Sequence, residues 1–189
     1  MKRWNDFEAK KTGGSTREIL PAGGYVCNIL SVKEETLSWG SILVLAIDVA
    51  EGEYKGFFKK DFDNNDWEDK KWRGTYRIII PNDDGTEQDG WTKRTFENFI
   101  WAIQESNPGF AWDWDEKKLK GKILGVLYRN REWEMNGRTG WTTEAAGSAS
   151  AEDIRNGKFR PLKDKPLKNK TQQTEPAAET VEDESDLPF

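Results

Sequence analysis

A chain of 189 residues with one cysteine and no histidine has no imidazole for a Ser-His or Cys-His pair, and no second thiol for a disulfide or a Cys-rich zinc site. It is polar, with a formal charge of -5 and a mean hydropathy of -0.89, and its longest apolar run, Ile42-Leu43-Val44-Leu45-Ala46-Ile47, is far shorter than the roughly 20 residues that span a bilayer. What stands out is aromatic content: ten Trp, nine Phe and four Tyr, more rings than a modest aliphatic core uses, so they either build that core or are displayed for stacking.

Residues 1–20 read as a basic arm, with Lys2, Arg3, Lys10, Lys11 and Arg17 around Trp4 and Phe7. No apolar stretch follows the charges of Met1–Asp6, so a secretory signal is not expected and a cytoplasmic location is. Pro21-Ala22-Gly23-Gly24 punctuates the start of a domain expected over residues 21–168. Tyr25–Val32 reads as a first strand, with Tyr25, Cys27 and Ile29 on one face and Val26, Leu30 and Val32 mostly on the other. Leu37-Ser38-Trp39-Gly40 is a turn, and Ser41–Val49, rich in aliphatic and β-branched residues, is the clearest strand. Phe57–Phe62 is expected as a short strand before the loop chemistry of Asp63-Asn64-Asn65-Asp66, and Thr75–Ile80 as another strand.

Between Trp91 and Gln104 the period changes. Phe96, Phe99, Ile100 and Ile103 fall at i, i+3, i+4 and i+7, one apolar stripe of a helix capped by Thr92 or Thr95 and ended by Asn107-Pro108-Gly109. Trp101 and Trp112, beside that stripe and its exit, are expected to pack. Gly121–Trp133 resumes strand character, Asn136-Gly137 is a strong hairpin turn signal, and Thr139–Thr143 is the return strand. Ile154–Arg160 is expected to form a last short turn. Five strands with a helix between the third and fourth is the arrangement of an OB-fold barrel, a mainly β class; a seven-stranded sandwich fits less well.

Charge divides the chain. All 29 basic side chains lie within residues 1–170, which hold 28 of the 34 acids; from Thr171 onward come Glu175, Glu179, Glu182, Asp183, Glu184 and Asp186 with no Lys or Arg. Residues 169–189 are therefore expected as a disordered acidic tail. Asp186, Leu187, Pro188 and Phe189 are its expected partner-binding residues, offering a ring and a restricted backbone to a pocket with a basic rim.

Four segments carry a family likeness: Pro21-Ala22-Gly23-Gly24-Tyr25, Asp48 through Gly56, Leu119-Lys120-Gly121-Lys122, and Asp153 through Phe159. Together they resemble single-stranded DNA-binding proteins of bacteriophages that infect Gram-positive bacteria. Asp186-Leu187-Pro188-Phe189 resembles the acidic, Pro-Phe-ending tail of bacterial single-stranded DNA-binding proteins, although Glu182-Asp183-Glu184-Ser185 stands where a run of Asp is usual. The resemblance implies an OB fold, sequence-tolerant coating of single-stranded DNA in phage replication or recombination in the host cytoplasm, and recruitment of replication and recombination proteins by the tail, without a cofactor or catalytic activity. A homo-oligomer is compatible with it.

Such binders combine cations for phosphates with rings for bases. The hairpin offers Arg129, Arg131 and Trp133 on alternating positions, with Arg138 and Trp141 across the turn. The segment Lys55–Arg77 interleaves rings and charge, and Phe58, Lys60, Trp72 and Arg77 are its expected contacts, with Trp39 in the first inter-strand loop. The bland account is a solvated hairpin with cross-strand pairs such as Arg131 with a Glu. Asp61-x-Asp63-x-Asn65 begins like a calcium loop but has Asp66 at position six and Trp72 at position twelve, so it fails as one. Asp113, Asp115 and Glu116 are expected to serve a helix N-terminus rather than a metal. Two other classes fit parts of the sequence: a carbohydrate-binding β module, which would also display Trp, and an acidic DNA mimic that inhibits a host nuclease.

Overall fold

The computed structural model describes residues 18–167. Residues 1–17 of the expected arm and residues 168–189, with the expected tail and its Asp186, Leu187, Pro188 and Phe189, lie outside the described residues. The described chain is mainly β. Its five strands are β1 (Gly23–Leu37), β2 (Gly40–Val49), β3 (Thr75–Ile79), β4 (Ile123–Met135) and β5 (Arg138–Ala149). They form one antiparallel sheet in the order β3-β2-β1-β4-β5. Three helices accompany it: α1 (Phe57–Asp63), α2 (Glu87–Ser106) and α3 (Ala151–Arg155). No described helix is long and apolar enough to cross a membrane.

Alternation along the strands sets the core. Leu43, Leu45, Ile47 and Val49 of β2, Cys27 and Ile29 of β1, and Leu124, Val126 and Tyr128 of β4 all point to one buried side. Val32 joins that side, contrary to simple alternation. Ile29 pairs with Ile47 but Ser31 pairs with Ala46, so Leu30 is an extra residue in a bulge that resets the face. The two hydrogen-bonded edges, β3 and β5, come together on the same side. There Tyr76 of β3 is buried; burial pushes its phenol up to about 12, and the Ser148 side chain of β5 opposes part of that rise.

Helix α2 seats Phe96, Phe99, Ile100 and Ile103 in this core, the stripe expected from the sequence. Its cap is Thr86, six residues before Thr92 and nine before Thr95, through a bond accepted from Asp89 N at 3.1 Å. Asn107 ties its end to the sheet. The side-chain amide donates to Ile103 O at 2.7 Å and Ile123 O at 2.8 Å, and its oxygen accepts from Ile123 N.

Phe57–Asp63 is a helix, not a strand. Gly56, at φ 71°, turns the chain, and Asp48 Oδ1 accepts the Phe58 amide at 2.9 Å, satisfying a donor that the first helical turn leaves open. Consecutive Phe57 and Phe58 are then both buried, which strand alternation would not permit. The chain returns to β2 so closely at Gly74 that a Cβ there would stand 2.1 Å from Ile47 O.

Candidate nucleic-acid interface

The surplus of rings resolves by residue type. Phe57, Phe58, Phe96, Phe99, Tyr76 and Tyr128 are buried, whereas none of the nine described tryptophans is. Trp72 and Trp112 pack partly against the core. Trp67 and Trp114 are more than three-quarters exposed, and Trp39, Trp91, Trp101 and Trp141 about half exposed. An indole at the surface presents a flat face to a base or another ring.

The hairpin brings fewer of its expected residues together than strand alternation implied. Asn136 and Gly137, at φ 53° and 72°, close a two-residue turn between paired Met135 and Arg138. Arg129 lies opposite Glu144 and donates to it through Nε at 2.9 Å and Nη2 at 2.7 Å. Arg131 Nη1 stands 3.6 Å from the other carboxylate oxygen, and Lys165 Nζ approaches at 3.4 Å. Burial pushes the Glu144 carboxyl up, but the Arg129 bonds and the Lys165 charge outweigh it and hold the group below the usual carboxylate range. Three cations thus share one carboxylate. Trp133 pairs with Gly140 and lies over it, for a Cβ at Gly140 would meet the indole at 2.7 Å. Trp141 pairs with Glu132 and so points to the face opposite Trp133. Arg138 is exposed at the hairpin tip without an ion-pair partner among the described residues.

The second expected set also divides. Phe58 is in the core beside Phe57 and Tyr128, so it is withdrawn from any ligand. Trp72 donates its indole N–H to Gly74 O at 2.9 Å and Ile47 O at 3.2 Å, a clamp between the loop and β2. Lys60 and Arg77 are exposed and form no ion pair among the described residues. Arg77 sits on the outer face of the sheet in a cross-strand row, Lys33–Val44–Arg77, beside the row Glu35–Ile42–Ile79. Trp39 occupies the two-residue turn between β1 and β2.

A constellation that sequence reasoning missed lies over α2. Trp91, Arg94, Asn98 and Trp101 fall at i, i+3, i+7 and i+10, a second stripe distinct from the apolar one. They flank two adjoining cavities of about 600 and 320 Å³ that share Asn98, Leu127, Ser148 and Leu162. Trp101 is therefore a groove residue rather than the packing residue expected. The far wall is the segment 158–163, bearing Lys158, Arg160 and Lys163. With Arg94 these make four cations that form no ion pair among the described residues. Asp153 is the one acid of the lining, and it accepts from Ser150 Oγ at 2.8 Å at the cap of α3.

The wall is firmly placed. Phe159 and Ile154 rest on Gly24, where a Cβ would come within 2.9 Å of both side chains. Beyond it, Lys165 N donates to Asn130 O and Glu132 N to Lys165 O, at 2.8 and 2.9 Å, so Lys165 lies beside Arg131 of β4 as an isolated parallel bridge. On the opposite side, Asn98 Nδ2 donates to Ser148 O at 3.1 Å and fixes α2 to β5. The i, i+3, i+7, i+10 spacing was available in the sequence, but the residues 50 and more positions away that complete the groove were not.

Carboxylates take structural parts. Asp115 caps a 3₁₀ turn at Glu116–Leu119, Lys118 bonds Asp113, and Arg73 pairs with Asp61 at 3.2 Å. Among the described residues no group of three His, Cys, Asp or Glu is placed to hold a metal ion. Cys27 is fully buried, and burial pushes its thiol far above the usual range, the state of a small core residue rather than a nucleophile. No protein-family model matches the chain, and no curated protein matches it.

Proposed function

We propose that this chain is a sequence-tolerant single-stranded DNA-binding protein built on an OB-type barrel. The strand order β3-β2-β1-β4-β5, with α2 between β3 and β4 and the edges brought together near Tyr76 and Ser148, is what such a barrel leaves when one seam lacks ladder bonds. The observation that carries the reading is the division of rings: Phe and Tyr fill the core while every described Trp keeps surface exposure. Rings that contribute little to the core are free to take bases, at about 1–3 kcal/mol per stacked base.

Arg77, Lys60, Arg138 and Trp39 remain contact residues in this reading, and Trp133 and Trp141 serve from opposite faces of the hairpin. Arg129 and Arg131 contribute less, since Glu144 already neutralises part of their charge. The acidic tail, with Asp186, Leu187, Pro188 and Phe189, recruits replication and recombination proteins and leaves the DNA contacts to the domain. The setting is phage DNA metabolism in a bacterial cytoplasm.

Titration with oligo-dT followed by tryptophan fluorescence tests the reading. Strong quenching and an affinity that falls with salt at a slope near -0.7 per phosphate contact are expected. Absent quenching together with salt-independent or undetectable binding would reject it, and binding to a glycan array instead would favour the carbohydrate module.

A further inference from the structure

We infer that the groove between α2 and the 158–163 segment is a second contact surface for the strand, taking a few nucleotides with bases against Trp91 and Trp101 and phosphates on Arg94 and Arg160. This rests on the single-strand-binding reading and adds to it a path over the base of the hairpin, away from its tip and from the outer face that bears Arg77.

Three features select a single nucleic-acid strand as occupant. The first is ring placement. Trp91 and Trp101 are ten residues apart on one helix, 53% and 47% exposed, so their backbone positions are about 15 Å apart along the axis at 1.5 Å per residue. That is roughly four steps of a stacked strand at about 3.4 Å each, a span that one short oligonucleotide bridges and a single sugar or amino-acid side chain does not.

The second is charge. Arg94 lies between the two rings in sequence, Lys158, Arg160 and Lys163 line the adjoining cavity, and none forms an ion pair among the described residues, Asp153 being the one carboxylate of the lining. This differs from Lys93, the neighbour of Arg94, which reaches Asp83 and Asp89. A polyanion with regularly spaced charges meets this arrangement without needing its own ordered structure. The third is shape. Leu127, Leu162 and Gly147 give an apolar floor between the cationic walls, and the two cavities adjoin to form a trough open at the surface. Asn98 and Ser148, at its centre, are already bonded to one another at 3.2 Å, so no buried polar group there awaits a ligand. Recognition would therefore be by stacking and phosphate contact, without base readout.

Two variants of the full chain test this against oligo-dT. Arg94→Ala with Arg160→Ala should weaken binding at least tenfold at moderate salt and reduce the salt slope by about 1.4, two contacts at about 0.7 each. Trp91→Phe with Trp101→Phe keeps a ring at both places, so affinity should stay within about threefold while the quenching amplitude drops. All four side chains are exposed, and unchanged thermal midpoints should accompany both results. A matched control, Trp39→Ala with Arg77→Ala, reports on the outer sheet face. If wild type binds and quenches but both groove variants match it in affinity, salt slope and amplitude, the inference falls while the binding reading stands. If wild type does not bind oligo-dT, the reading itself falls. A groove variant that loses only a peptide of residues 171–189, with oligo-dT binding intact, would assign the groove to an acidic peptide and overturn the inference.

Discussion

The β4–β5 hairpin and the α2 groove contain the same kinds of side chain, Arg, Lys and Trp, yet differ in what those side chains already touch. In the hairpin Arg129, Arg131 and Lys165 converge on Glu144, and Trp133 is laid over Gly140. In the groove Arg94, Lys158, Arg160 and Lys163 form no ion pair among the described residues, and Trp91 and Trp101 are about half exposed. A basic residue satisfied inside the fold must break that contact before it meets a phosphate, and the broken contact subtracts from affinity. Composition alone therefore does not separate the two surfaces, which differ in how far their cations are already paired.

Breaking the groove by its foundation should produce the largest effect. Gly125 of β4 lies under α3, where a Cβ would stand 2.6 Å from both Ala149 O and Ile154 Cγ1. Gly125→Ala should lower stability by about 1–3 kcal/mol, read by denaturant unfolding, because backbone rather than a flexible side-chain end must yield. The same change should weaken oligo-dT binding by displacing the 158–163 wall, and a variant as stable as wild type would mean that this wall is seated differently.

Releasing the hairpin should give a smaller and opposite effect on binding. Glu144→Gln removes the shared carboxylate, so DNA affinity should rise several-fold through Arg129, Arg131 and Lys165, with a steeper salt dependence. The fold should lose about 1.5–3 kcal/mol, the scale of hydrogen bonds to a charged group. The sign with pH follows from the lowered Glu144 value: its stabilisation is complete above the unfolded carboxylate range near about 4.3 and disappears as pH falls through the lower folded value. Wild type and Glu144→Gln should therefore differ in melting temperature near neutrality and converge in acid. A constant gap down to low pH would remove Glu144 from the account.

The finest discrimination comes from Trp133. Truncation to Ala uncovers Gly140 and should cost up to about 1 kcal/mol of stability, the range of a cross-strand pair. A loss of DNA affinity much larger than this stability change, measured on the same variant, would restore the hairpin to first rank.

What was legible in the sequence was what repeats locally. The β2 run, the Asn136-Gly137 turn and the Phe96–Ile103 stripe each declare themselves within a dozen residues, and each is present in the structure. The strand expected over Phe57–Phe62 rests on propensity, which two adjacent aromatics satisfy. The deciding interactions, Asp48 on the Phe58 amide and the left-handed Gly56, are a long-range cap and a backbone state that propensity does not encode. Val32 was placed on the wrong face because one bulged residue, Leu30, inverts the alternation. The groove was missed for a related reason: its helical half is a visible stripe, but its opposite wall is brought there only by Phe159 packing on Gly24 and Lys165 bonding beside β4.

The seam between β3 and β5 has a mechanical consequence. Among the described residues no backbone ladder joins these two strands; they meet through side chains, Tyr76 with Ser148, and Asn98 of α2 donates to Ser148 O beside them. The groove opens directly above that line, with Tyr76, Gly147 and Ser148 in its lining. Anything lodged in it touches residues of both strands at once, and an occupant that binds only this folded arrangement stabilises it.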